Sequence, residues 1–344
     1  MDNPLLEVKN LHVSFPIYEG VLKVLNGLDF KLDRGEKIGV IGETRCGKTT
    51  TMKSILRLLP KTAVIPKGQI LFKGTDILTM KFGDIQKVRR QSISMIFQDP
   101  TAALNPVFKI GEQLLDIIKY SKDTSADRWM DRSIGKSAKK EWNNEAVNVL
   151  KDVGLPDQER IMENYPIQLS GGMRQRVCIA MSLVSARDIL IADEPGTSLD
   201  VTIEAQILEL LKRLVEEKGT SIILVSHALG AVMGLVDRVY VMYAGSMVES
   251  AETQALFLDP LHPYTCGLLK AVPKLTGGGI PQGIDGRIPD YLNPPKGCRF
   301  FPRCKSAMSI CAENRPSMFQ VGGDHQVACF LYKGDEIDGR SIAH

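Results

Sequence analysis

No run of about eighteen apolar residues occurs in the 344-residue chain, so no bilayer-spanning helix is expected. The opening Met1-Asp2-Asn3-Pro4 has no basic region followed by an apolar run, which argues against an export leader. Lys and Arg number 43 against 40 Asp and Glu, a net charge of +3, and no dense basic block appears. That balance is too small to argue for a nucleic-acid binder, so no nucleic-acid partner is expected. Also missing are a long coiled-coil insertion, a tandem repeat of any motif, and the two-residue cysteine pairs common in zinc ribbons. What remains is ordinary for a soluble globular protein, 44% hydrophobic and 24% charged, and long enough for one large domain plus an appendage. The chain is expected to stay in the cytoplasm and to reach a membrane only through partners.

Lys37 to Ile41 reads as a short buried strand, and Met52, Ile55, Leu56 and Leu59 recur at helical spacing. Between them lies Gly42-Glu43-Thr44-Arg45-Cys46-Gly47-Lys48-Thr49-Thr50, which fits the phosphate-binding loop pattern and makes a nucleoside triphosphate the first ligand to test. Such a loop turns successive N–H groups toward one point at the positive end of a helix. Lys48 would reach the terminal phosphates and Thr49 would hold magnesium.

Ahead of the loop, Leu6 to Val13 and Val24 to Phe30 alternate as antiparallel strands, with a turn at Tyr18-Glu19-Gly20. Phe15 stands where an aromatic ring could stack on a base, although strand aromatics more often pack. Gln69 to Phe72 and Ile93 to Phe97 read as further strands. Gln98 follows the latter, where a polar side chain faces the ligand crevice of a parallel sheet. Apolar residues from Ile110 to Asn164, interrupted by a charged stretch, predict a helical insertion in which Gly154-Leu155-Pro156 ends one helix. Ser170, Gly171 and Gly172 open the next helix, either as a plain cap or as a second anion site. Ile189 to Ala192 runs into Asp193 and Glu194, and carboxylates buried at a strand end require a cation or a hydrogen-bond partner. Ser198-Leu199-Asp200 caps another helix, and the strand Ser221 to Val225 ends at Ser226-His227, where the histidine could meet a phosphate.

In this order the phosphate loop, Gln98, Ser170-Gly171-Gly172, Asp193-Glu194, Asp200 and His227 resemble the ATP-binding subunit of an ABC transporter over nearly the whole chain. The resemblance implies a P-loop α/β core and a head-to-tail dimer, with ATP between the phosphate loop of one subunit and the Ser170 stretch of the other. It implies that Lys48 and the loop amides hold phosphates, that Thr49, Gln98 and Asp193 serve magnesium, that Glu194 deprotonates water, and that His227 contacts the γ-phosphate. Met242-Tyr243-Ala244-Gly245, Leu261-His262-Pro263-Tyr264-Thr265 and the stretch Asn293 to Cys304 are similar to the oligopeptide, dipeptide and nickel importers. Asp200-Val201-Thr202-Ile203 is closer to the first (D) of that group's two ATPase types. Such subunits pair with a related second ATPase, two transmembrane permease subunits and an extracytoplasmic solute-binding protein. They sit at the cytoplasmic face of the membrane, and their cargoes are peptides, oligosaccharides or nickel. A soluble ABC ATPase acting on nucleic acid or ribosomes is the competing class. Arg45 and Cys46 depart from the commoner glycine and serine, Gly196 from threonine, and Ala228 from aspartate.

These readings place an ATPase domain at 1–270, its helical insertion at about 100–170, and a C-terminal extension at 271–344. Leu275 to Lys296 reads as a glycine- and proline-rich tether. Beyond it Cys298, Cys304, Cys311 and Cys329 could by spacing ligate zinc or an iron–sulfur centre. The family resemblance implies a [4Fe-4S] cluster. Nothing in the sequence connects this cluster to the ATP crevice, so a structural role is expected of it.

Overall fold

The computed structural model describes residues 3–122, 136–197, 199–271 and 283–333, with side chains of the second segment from 139. The chain forms two compact units, Met1–Thr79 with Leu224–His344, and Met80–Ile223. The second boundary falls inside the strand Ser221–Val225.

The first unit opens on a two-stranded ribbon, Leu6–Ile17 against Gly20–Leu32, turned through Tyr18 and Glu19. Its alternation gives one buried face: Leu6, Leu11, Leu28 and Leu32 are fully covered while Tyr18 stands in solvent at the tip. Val64–Phe72 adds to the same sheet antiparallel to the first strand. Lys37–Ile41, whose Ile38, Val40 and Ile41 are fully buried, pairs in parallel with Arg238–Tyr243. Gly39 is small because an added Cβ would lie 2.8 Å from Val232 Cγ1. Ser246–Glu252 continues antiparallel to Arg238–Tyr243, then His325–Val327 and Phe319–Gly322 follow.

In the second unit Ile93–Ile96 and Ile189–Asp193 pair in parallel, and the amides of Asp188 and Ile189 both donate to the Ser92 carbonyl. Helices Ile110–Lys122, Lys136–Asp152 and Gln158–Glu163 follow, with Ile110, Leu114, Ile118, Ala146, Leu150 and Ile161 buried. The helix Gly171–Ser185 packs Ser182 over Met95, and Val201–Lys218 ends at a left-handed Gly219. Among the described residues no helix is long and apolar enough to cross a membrane.

One expectation needs correction. Residues 275–282 of the expected tether lie outside the described residues, but the remainder is fastened to the first unit rather than free. The Tyr291 carbonyl accepts from the Lys23 amide at 2.8 Å, and Leu292 packs on Gly20. The strands Arg238–Tyr243 and Ser246–Glu252, for which the sequence offers no alternation, are buried almost throughout. Glu249 is fully covered inside the second of these, accepting from the amides of Leu261 and His262 and pairing with His325 Nε2 at 2.7 Å.

Candidate active site

The phosphate loop of the first unit joins the strand Lys37–Ile41 to the helix Lys48–Ile55. Two glycines make its arch. Gly42 sits at φ 154° with its missing Cβ 2.1 Å from the Met242 carbonyl, and Gly47 at φ 110° caps the helix without a side-chain partner. The helix N-terminus therefore keeps backbone donors for an anion. Lys48, 5% exposed, curls back so that Nζ donates to the carbonyls of Gly42 at 2.6 Å and Glu43 at 3.2 Å. Thr49 and Thr50 are half-buried on the first turn. Arg45 is exposed at φ 71°, the left-handed region that explains why glycine is the ordinary occupant of such a position. Cys46 is fully buried, its thiol pushed up to about 11 chiefly by that burial, so it is an inert packing group.

The loop is held from outside by residues far along the chain. Tyr264 Oη accepts from the Glu43 amide at 2.8 Å, Tyr291 Oη donates to the Arg45 carbonyl at 2.8 Å, and the Gly245 amide donates to the Cys46 carbonyl at 2.7 Å. The Ser226 amide donates to the Val40 carbonyl, so His227 emerges exposed just past the end of its strand, as Gly42 follows Ile41 past the end of its own. Phe15 stays half-buried on the ribbon, opposite Leu22.

In the second unit the structure brings Gln98 and Glu194 together: Gln98 Nε2 donates to Glu194 Oε2 at 2.9 Å. Thr197 Oγ1 donates to the same oxygen at 3.1 Å, a contact the sequence reading missed because nothing singled that threonine out. Two donors on one carboxylate oxygen fix the direction of the group. Asp193 beside it is 2% exposed. Glu194 itself has φ 49°, a left-handed bend that turns the chain sharply off the strand. Gly196 has a packing reason: an added Cβ would lie 2.5 Å from Glu204 Cγ and 3.1 Å from its Cβ, so a threonine would displace that glutamate.

Ser170 caps the helix Gly171–Ser185 by accepting from the Met173 amide at 3.3 Å, and it is exposed. Gly171 and Gly172 face Leu199 and Ile203, at 3.3 Å and 3.1 Å from added Cβ positions. Asp200 caps the following helix through the Ile203 amide at 3.0 Å, and Ser198 lies outside the described residues.

The geometry does not supply the four-cysteine metal centre expected in the tail: among the described residues no group of three or more His, Cys, Asp or Glu could hold a metal ion. Cys298, Cys304, Cys311 and Cys329 do line one small, almost wholly apolar cavity together with Phe300 and Phe330. Burial raises the thiols of Cys298 and Cys304 and lifts Cys329 to about 11, where the other three sulfurs add to the effect. Arg303 of the tail pairs with Glu43 of the loop at 2.7 Å, a link that no sequence motif announces.

A glycine-arched loop ending in a buried lysine, set between a parallel strand and a helix, defines the class: a P-loop nucleotide-binding protein of α/β build. Residues 25–197 match the family model described as "ABC transporter", and residues 248–311 match "Oligopeptide/dipeptide transporter, C-terminal region". The chain is 44% identical over 335 residues to the oligopeptide transport ATP-binding protein OppD of Bacillus subtilis (strain 168), spanning 96% of this chain and 90% of that one. It is 44% identical over 329 residues to the dipeptide transport ATP-binding protein DppD of the same organism, spanning 95% and 94%. A dimeric bacterial ABC transporter cassette matches with a TM-score of 0.62 over 72% of this chain and 98% of its own, at 23% identity, a likeness of fold alone. The chain belongs to the ABC transporter family, among the ATP-binding subunits of its oligopeptide and dipeptide group.

Proposed function

We infer that this subunit hydrolyses ATP to energise uptake of di- or oligopeptides through a separate transmembrane pair. What carries the reading is the match to peptide-transport ATP-binding subunits at 44% identity along 335 residues. Lys48 and the loop amides bind the terminal phosphates, and magnesium, when bound, neutralises their charge, with Thr49, Gln98 and Asp193 as its holders. Glu194, oriented by Gln98 and Thr197, accepts the proton of the attacking water, and His227 steadies the γ-phosphate. Phe15 stacks on the base, while Arg45, Cys46 and Thr50 complete the loop. Ser170, Gly171, Gly172 and Asp200 act on the ATP of an opposed ATPase subunit, a related second chain. The two close on ATP and reopen after hydrolysis, the pair of states that drives the permease. The division into an ATPase domain at 1–270 and an extension at 271–344 belongs to the same reading. So does a place at the inner face of the membrane, against a permease that a solute-binding protein loads from outside.

The test is reconstitution of the subunit with its cognate permease, second ATPase and binding protein, measuring which solute stimulates ATP turnover. Stimulation by peptides is expected; stimulation by oligosaccharides or nickel alone would move the subunit to another cargo.

The four tail cysteines fit an iron–sulfur centre in donor type and in their convergence on one cavity, although not in ligating separation. A [4Fe-4S] cluster on Cys298, Cys304, Cys311 and Cys329 would supply the positive charge that four buried thiolates require. Anaerobically purified protein is then expected to absorb at about 400 nm, and Cys304→Ser to lose the band. Stoichiometric zinc without colour would overturn it.

A further inference from the structure

Glu43 is an awkward residue for a polyphosphate loop. It lies in sequence between Gly42 and Lys48, where an unpartnered negative charge would oppose the phosphates and its oxygens would compete for the loop's own N–H donors. The structure shows where that charge goes. Arg303 takes it in a two-pronged grip, Nη1 to Oε2 at 2.7 Å and Nη2 to Oε1 at 3.0 Å. The guanidinium spends its other donors on the Asp285 carbonyl at 2.8 Å, the Ile284 carbonyl at 3.0 Å and Tyr243 Oη at 3.3 Å. Its side chain is 4% exposed, with the charged carbon 5.7 Å from the centre of the Tyr243 ring. Tyr243 in turn packs at 4.6 Å on Tyr264, whose hydroxyl accepts from the Glu43 amide. Glu43 is thus fixed at both its backbone and its side chain.

We propose that Arg303 is a positioning residue for ATP binding: it neutralises Glu43 and draws the carboxylate away from the arch, leaving the loop amides and Lys48 to the phosphates. A planar fork satisfies both carboxylate oxygens at once, which a lysine cannot do. Burial of the guanidinium keeps the pair from being screened as a surface pair would be. The proposal rests on reading Gly42 to Thr50 as an ATP-binding loop.

The test is calorimetric titration of the full chain with MgATP, together with KM and kcat of the assembled transporter. Arg303→Gln is expected to weaken MgATP binding about tenfold and to raise KM with kcat within about twofold. Adding Glu43→Gln to that variant is expected to restore affinity to that of Glu43→Gln alone, since the charge needing a partner is gone. A residue that only anchored the tail would show no such rescue. Should Arg303→Gln melt below the assay temperature, Arg303→Lys replaces it, with a loss of about threefold reversed by the same second substitution. Unchanged affinity in the Arg303 variant, or a double variant as weak as the single, overturns the proposal while ATP binding by the unaltered chain stands. No MgATP binding by the unaltered chain overturns the reading of the loop itself.

Discussion

Arg45 and Glu194 both hold φ values in the left-handed region, 71° and 49°, which a side chain with a Cβ enters at a cost of about 1 kcal/mol. At Arg45 the side chain is exposed, so the backbone cost can be read separately from packing. Arg45→Val, branched at the Cβ, is expected to lower stability by about 1 to 2 kcal/mol, and Arg45→Gly to leave it equal or higher. Urea midpoints at constant slope check both. At Glu194 the conformation aims a carboxylate that Gln98 and Thr197 already hold by one oxygen. Glu194→Gln is expected to keep MgATP binding and to cut turnover by about a thousandfold, as loss of a positioned base does. Thr197→Val, which removes one of two orienting donors, is expected to reduce turnover by less than about tenfold with binding unchanged. Full turnover in Glu194→Gln would take the base away from this residue.

Among the helices, the short Pro263–Lys270 carries a titratable cap. His262 is 2% exposed and its Nδ1 accepts from the Tyr264 amide at 3.0 Å, which only the neutral ring can do. Burial lowers its pKa to about 4 from 6.5, partly offset by Glu249. The unfolded chain therefore takes up a proton that the folded chain refuses. The contribution is complete above about pH 6.5 and is lost as the pH falls toward 4, roughly 3 kcal/mol in all. His262→Asn keeps a capping oxygen without the titration, and is expected to flatten that part of the stability–pH curve. An unaltered acid slope in His262→Asn would remove this ring as its source.

The same helices and strands show why some elements are legible in the sequence and others are not. The phosphate loop, Gln98 and the pair Asp193-Glu194 are written in short local patterns, glycines at fixed offsets and an apolar run ending in acids. The stretch 238–252 is not, since a strand covered on both faces loses the alternation that marks a half-exposed one, and Glu249 inside it looks like a surface residue. Thr197 escapes notice for a different reason, because its role exists only once Glu194 bends back toward it. Arg303 and Glu43 lie 260 positions apart, and no local pattern links them.

For the molecule as a whole, the first unit is assembled from both ends of the chain, Met1–Thr79 and Leu224–His344, while the second is the continuous Met80–Ile223. The exposed Ser170 and Asp200 cap neighbouring helix starts in the second unit, where an opposed subunit is expected to meet them. With Glu194→Gln and saturating MgATP, light scattering is expected to record a two-ATPase species that ADP does not support. A competent preparation that stays monomeric at every nucleotide concentration would end the composite-pocket reading.

The fork between Arg303 and Glu43 also sets an order of events during synthesis. Every glycine, lysine and threonine of the nucleotide loop has left the ribosome long before the arginine that braces it has been translated. A nascent or prematurely stopped chain therefore carries all its recognisable nucleotide motifs before the Glu43 carboxylate has met its arginine, and its affinity for MgATP is expected to rise about tenfold once Arg303 is in place.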